Sequence, residues 1–214
     1  MAADERDATG RRILDAALDA FVRDGYAGTS TDKIAAGAAA SKQSIYRRFG
    51  DKEGLFAALI DDFLHRVRAQ IIDADVSACT TGEEAVHLLA HQLAESILDH
   101  RVQRFRRLVI AEAVRFPQLG QAYYDGAFEV TLHALARVLD SLVARRLLHI
   151  NDTVAAANQL AGLTLWLPSN RIMMTGRLDS VPAAELERGL ESGVGVFLAA
   201  YGPRTGPGEP APTA

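Results

Sequence analysis

Residues 29–56 read TSTDKIAAGAAASKQSIYRRFGDKEGLF. Hydroxyl residues, a short apolar set and a second hydroxyl follow one another at distances that predict two short helices joined by a tight turn. Ser30 or Thr31 can cap the first, because a short side-chain oxygen accepts one of the backbone N–H groups that a helix start leaves without a partner. Ile34, Ala35 and Ala38 are its apolar anchors. Ala39 and Ala40 make the turn, Ser41 caps a second helix running to about Phe49, and Asp51 caps a third that begins Lys52-Glu53. Two short helices connected in this way form a helix-turn-helix, whose second helix can enter a DNA major groove.

Spacing sorts the residues of that second helix. Ile45 and Phe49 are four apart and face the small core shared with the first helix. Gln43, Tyr46 and Arg47 then point away, with Ser44 and Arg48 on the flank. Amide, phenol, hydroxyl and guanidinium groups are what base edges and phosphates require: Arg47 can pair with guanine and Gln43 with adenine. Lys52 falls in the first turn of the third helix, where a cation alone is mildly unfavourable. A phosphate shared between its ammonium and the free N–H groups would account for it. The candidate DNA-contacting set is Ser30, Thr31, Ser41, Lys42, Gln43, Ser44, Tyr46, Arg47, Arg48 and Lys52. An ordinary solvated face on a small helix is the competing explanation of the same pattern.

Outward from this stretch, helical periodicity runs almost throughout. Ile13, Leu14, Ala17, Leu18 and Phe21 form one stripe, closed by Gly25 and Gly28. Leu55, Phe56, Leu59, Ile60, Phe63 and Leu64 form another, and further stripes lie at Phe105–Phe116, Leu132–Val143, Val154–Leu167 and Leu186–Tyr201. Asn151 and Ser180 are the expected caps of the last two. Alternating β-branched runs are missing, so the fold class expected is all-α, with about nine helices.

Composition sets the outer limits. The 214 residues are 49% apolar and 23% charged, as in a globular protein with a substantial core. Residues 1–52 are slightly basic and hold all three lysines, Lys33, Lys42 and Lys52, while the remainder is acidic. A basic head that meets phosphate would produce this asymmetry, and so would chance placement of rare lysines. The single Cys79 cannot form an internal disulfide, and neither a signal peptide nor a transmembrane span is expected, which favours a cytoplasmic protein. The tail 202–214, with four prolines and three glycines, is expected to be disordered.

The stretch 29–56 resembles the helix-turn-helix of the TetR/AcrR family of bacterial transcriptional regulators. The matching positions are Thr29 to Thr31, Ile34-Ala35, Ser41, Tyr46 with Phe49, and Lys52-Glu53 with Leu55, preceded by Phe21 and Gly25. One departure stands at the turn, where the family usually has glycine at the position of Ala39 and valine at that of Ala40. If position 39 requires positive φ, alanine costs on the order of 1 kcal/mol there.

The resemblance implies a head of three helices (residues 1–52, with a fourth helix from 52), a ligand-binding and dimerisation body (53–201), and a homodimer. It implies a repressor released from a pseudo-palindromic, double-stranded DNA operator by a small, apolar effector. Two-fold symmetry would set the recognition helices about 34–36 Å apart. Leu186, Leu190, Val194, Phe197 and Leu198 make a stripe in the last helix that on pattern alone suits this interface or an internal core equally, and with the resemblance behind it the interface is the expected role. Gly193 and Gly195 would let helices approach closely there. RFRRLVIAEAVRFPQLGQAYYDGAF, residues 104–128, loosely resembles the C-terminal domain of some members.

Candidate ligand-contacting residues are Glu112, Arg115, Tyr123, Trp166 and Asn170, polar or aromatic groups within apolar helical runs, although core packing and surface pairing explain such residues equally well. His87 and His91, four apart with Glu83 and Glu95 in line, would need a third ligand to hold zinc, so no metal and no cofactor are expected. The basic run Arg101, Arg104, Arg106 and Arg107 suits ion pairing better than DNA. A helical-bundle enzyme is the first alternative, and the sequence has no Gly-x-Ser-x-Gly elbow, phosphate-cradling loop or paired Glu-x-x-His motif to support one. A protein-binding adaptor is the second.

Overall fold

The structure is a computed structural model; it describes the backbone of residues 2–72 and 76–203, with side chains from residue 8 except at 64 and 66–72. The described residues form helices and no strands. In chain order these are α1 (Ala2–Gly28), α2 (Thr31–Gly37), α3 (Lys42–Phe49), α4 (Lys52–Ile72), α5 (Gly82–Ile97), α6 (His100–Glu112), α7 (Pro117–Tyr123), α8 (Val130–Ala144), α9 (Thr153–Thr175) and α10 (Ala183–Tyr201). A π-helical segment, Tyr124–Glu129, joins α7 to α8 without leaving helical φ/ψ. The expected tail lies, from residue 204 onward, outside the described residues.

The chain divides into two compact units, Met1–Val67 with Asp99–Val130 and Arg68–Leu98 with Thr131–Ala214. In the first unit, Ile13, Ala17 and Phe21 of α1, Ile34 of α2, Ile45 of α3 and Leu55 and Phe56 of α4 are buried. Aromatic rings continue this core. Phe116 meets Tyr26 at 5.1 Å, Tyr26 meets Phe56 at 5.6 Å, Phe56 meets Phe105 at 5.2 Å and Phe105 meets Tyr123 at 5.8 Å between centroids. Such tilted and edge-on contacts each add about 0.5–1.5 kcal/mol beyond burial.

α6 lies alongside α1 in a fixed register. Arg101 pairs with Asp15 and reaches Asp62 of α4, Arg104 pairs with Asp19 at 2.9 Å, and Glu112 Oε1 accepts from the Tyr26 N–H at 3.0 Å. The partners rise together along both helices, so α1 and α6 run parallel. Two members of the basic run, Arg101 and Arg104, thus find acids on α1 and α4.

Gly25 carries φ 74° and ψ 164°, which breaks the helical path of α1 and releases the Tyr26 N–H that Glu112 then takes. A Cβ at Gly25 would stand 2.8 Å from Glu112 Oε1. Glycine is needed here for conformation and for space alike.

In the second unit α10 packs on α9 and α5. Leu190, Val194 and Phe197 of α10 are buried within the chain, with Leu186 and Leu198 half-buried. The stripe that suited a subunit interface is therefore internal core, because this face of α10 meets its own chain's helices. Gly193 serves the same packing: a Cβ there would lie 3.0 Å from the Leu163 carbonyl oxygen. Two expected caps also move. Asp152 rather than Asn151 caps α9, accepting from Ala155 N at 2.9 Å, and Ser180 sits in a 3-10 turn while Pro182 precedes α10. α5 opens on a reciprocal cap, in which Thr81 accepts from Glu84 N–H and the Glu84 carboxylate reaches back.

Candidate nucleic-acid interface

The two helices of the motif start as their sequence directs. Ser30 caps α2 by accepting from Lys33 N at 3.3 Å, Ser41 caps α3 by accepting from Ser44 N at 3.1 Å, and Asp51 Oδ1 accepts from Gly54 N at 2.8 Å at the start of α4. The turn is closed by two bonds that run back into α2: Ala40 N–H donates to Ala35 O at 3.0 Å and Ala39 N–H to Ala36 O at 3.3 Å. This is the Schellman arrangement, which places Ala39 in the left-handed region, at φ 48°. The turn keeps its shape and alanine bears the strain.

Of the two residues expected to face the core of the motif, Ile45 is fully buried and Phe49 is half-buried. Gln43, Tyr46 and Arg47 are exposed, as their positions around α3 require. Tyr46 OH lies 3.3 Å from Thr31 Oγ1, a contact that links the outer faces of α2 and α3. Ser30, Ser41 and Lys42 are exposed on the same motif, and Thr31, Ser44 and Arg48 are half-buried. Lys42 Nζ donates to Asp32 Oδ2 at 2.9 Å. The side chains of Gln43 and Arg47 make no hydrogen bond or ion pair with the described residues.

Lys52 is placed differently from its expected role at a phosphate. Its ammonium turns inward, donating to Tyr26 O at 2.9 Å and Thr29 O at 3.3 Å, and lies 4.5 Å over the Tyr26 ring. The end of α1 exposes carbonyls that need donors, and an ammonium beside an aromatic face satisfies both demands. Tyr26 is thus gripped at its N–H from α6, at its carbonyl from α4 and at its ring by four neighbours, three aromatic and one cationic. Burial pushes its phenol up to about 12.

Of the five ligand candidates, Glu112, Arg115 and Tyr123 lie in the first unit and Trp166 and Asn170 in the second. Within the first unit, Glu112 holds Tyr26, and its other oxygen, Oε2, is buried without a hydrogen bond. Arg115 is exposed and lies 5.9 Å over Phe116. Tyr123 is packed among Phe63 and Phe105, and burial pushes its hydroxyl up to about 12. The cavity lined by Leu18, Leu59, Phe63, Val102 and Phe105, with Asp62, Asp99 and Arg101 at its rim, measures about 20 Å³, room for one water.

In the second unit Trp166 is 73% exposed and so outside the core, and Asn170 donates to Trp166 O at 2.7 Å. Leu163, Leu167, Met174 and Val196 are exposed as well. Sequence periodicity gave no warning of this second apolar face, because α9 is apolar nearly all round. His91 Nε2 meets Glu187 at 3.3 Å, and the described residues contain no group of three or more side chains able to hold a metal ion. No helix among the described residues is long and apolar enough to cross a membrane.

Two family models match the chain, one described as bacterial regulatory proteins of the tetR family over residues 13–59 and one as the AefR-like transcriptional repressor C-terminal domain over residues 84–203. The chain belongs to the TetR family. A solved protein of Mesorhizobium loti assigned to the TetR transcriptional regulators is 38% identical, with a TM-score of 0.82 over 92% of this chain and 98% of that one. The flavonoid-responsive regulator FrrA is 30% identical, with a TM-score of 0.75 over the same shares. An HTH-type transcriptional repressor of Streptomyces coelicolor is 48% identical over 61 residues, which are 28% of this chain and 32% of the repressor. The chain thus spans about a third of the length of that curated relative. The tetR-family match covers α2, α3 and the start of α4, so the strained turn at Ala39 sits inside a motif of recognised type.

Proposed function

We propose that this TetR-family protein is a sequence-specific DNA-binding repressor. The observation that carries the reading is the outer face of α3. Gln43, Tyr46 and Arg47 stand exposed on a helix whose opposite side is anchored by the fully buried Ile45. A rigid helix presenting an amide, a phenol and a guanidinium that has no partner among the described residues is suited to base edges. Tyr46 and Ser41 serve the backbone, and Arg47 and Gln43 the sequence.

The working form is a homodimer, paired through the exposed face of α9 and α10. Leu163, Trp166, Leu167 and Val196 supply its apolar area. A Cβ at Gly162 or Gly195 would meet nothing within 4 Å, so neither glycine is required by packing inside the chain. Both would allow a second copy to approach closely. Trp166→Arg should yield a folded monomer in analytical ultracentrifugation; a dimer of unchanged strength would place the interface elsewhere.

The effector is a small, largely apolar molecule. Tyr123 offers it a hydroxyl within an aromatic cluster, and one relative of 30% identity responds to flavonoids. Tyr123→Phe should keep DNA binding and blunt effector release.

Fluorescence anisotropy on DNA from upstream of the protein's own gene tests the central reading. Saturable binding that resists unrelated competitor and relaxes its base preference in Arg47→Ala supports it. An Arg47→Ala variant with unchanged affinity and preference would mean that α3 docks by another face.

A further inference from the structure

We infer that Asp32 acts as a built-in substitute for DNA phosphate, holding Lys42 out of the backbone contacts and lowering affinity for unrelated DNA. The inference rests on the DNA-binding reading above. Every lysine of the chain lies in the first 52 residues, where a phosphate-binding head would use it. Each is engaged inside the protein. Lys33 donates to Asp24 at 3.1 Å and to Gly28 O at 3.3 Å, Lys42 donates to Asp32 at 2.9 Å, and Lys52 caps the carbonyls at the end of α1. Arg23 likewise grips Asp24 with two bonds, at 2.9 and 3.1 Å.

The Lys42–Asp32 pair differs from the others in its position. It joins the first turn of α2 to the first turn of α3, next to Thr31, Ser41 and Gln43. Both partners are open to water, with side-chain exposures of 47% for Lys42 and 67% for Asp32. A pair so exposed contributes little to folding. Its effect falls instead on what approaches that face.

A lysine that already carries a carboxylate is neutral to an incoming polyanion. Non-specific DNA binding is driven by counterions released as cations meet phosphates, each adding about −0.9 to the slope of log affinity against log salt. With Lys42 masked that increment is withheld, while Arg47 and Gln43 remain available for bases. Asp32 thereby lowers affinity for DNA of any sequence, and a larger share of the remaining binding energy comes from base contacts.

The test uses the full chain and a short mixed-sequence duplex, so it requires no operator. Asp32→Asn should steepen the salt slope by about 0.9 per bound head, which widens the affinity change between about 50 and about 200 mM salt by about 3.5-fold per head. Lys42→Gln alone should leave the wild-type slope in place, and Asp32→Asn with Lys42→Gln should return to it.

Asp32 also lies where an acid favours a helix N-terminus. A purely helix-stabilising role would move the thermal midpoint of Asp32→Asn and leave the slope alone. The inference is overturned if Lys42→Gln flattens the slope and Asp32→Asn does not change it, since Lys42 would then leave Asp32 for phosphate. Absence of salt-sensitive binding in every variant would overturn the DNA-binding reading itself.

Discussion

Replacing Ala39 by glycine should stabilise the protein, against the usual direction of such a change. Ala39 is the residue after the C-cap of α2 and sits at φ 48°. There its Cβ crowds the following carbonyl, at a cost of about 1–2 kcal/mol. Glycine removes that strain but returns about 0.5–1 kcal/mol of chain entropy to the unfolded state. The side chain is exposed, so little packing is lost with the methyl group. The net gain is therefore centred on about 0.75 kcal/mol and at most about 1.5 kcal/mol, or a rise of about 2–3 °C in midpoint for a chain of this size. Urea unfolding at fixed protein concentration, followed by circular dichroism, reads the difference. Ala57→Gly, exposed in the interior of α4, is the control and should lose about 1 kcal/mol. If Ala39→Gly loses as much as the control, the turn does not hold position 39 in the left-handed region. Recognition by α3 would then rest on a different geometry.

Gly25→Ala should do the reverse of Ala39→Gly. It strains a backbone conformation open essentially to glycine alone, at about 1–3 kcal/mol, and drives a methyl group to 2.8 Å from Glu112 Oε1, so a thermal midpoint close to wild type would refute the kink. Lys52→Met keeps the chain length over Tyr26 but removes the donor to Tyr26 O and Thr29 O, and should lower stability as well as DNA affinity. Loss of affinity with an unchanged midpoint would restore Lys52 to a phosphate role alone. The hydrogen bonds from Arg23 and then Lys33 hold the Asp24 carboxyl down at about 2, below its unfolded value. Its contribution is therefore present above about pH 4 and fades between about pH 4 and 2, and Asp24→Asn should flatten that part of an acid titration followed by circular dichroism.

The helix-turn-helix was legible because its determinants are local. Caps at Ser30, Ser41 and Asp51, the anchor Ile45 and the turn at Ala39 are all set by neighbours a few residues away, and even the strain at Ala39 could be anticipated from the residue type. Long-range pairings could not be. Glu112 looked like a surface or pocket residue because its partner, the Tyr26 N–H, exists only once Gly25 breaks α1. Lys52 looked free for phosphate because nothing near it in sequence shows the carbonyls of Tyr26 and Thr29. Periodicity in α10 showed that Leu190, Val194 and Phe197 are covered, but not that α9 and α5 of the same chain cover them.

The chain crosses between its compact units at residues 67/68, 98/99 and 130/131, so the first unit is assembled from two separated pieces. This has a consequence for synthesis. Phe56 leaves the ribosome 60 residues before Phe116, and at about 5–20 residues per second that is a wait of about 3–12 s. During that interval the rings of Phe21, Tyr26 and Phe56 have one another but lack Phe105 and Phe116. The nascent head is an incomplete core with exposed aromatic surface, the kind of intermediate that chaperones hold. The matched segment 13–59 is therefore only part of the compact unit that contains it, whose aromatic core is completed by residues made later.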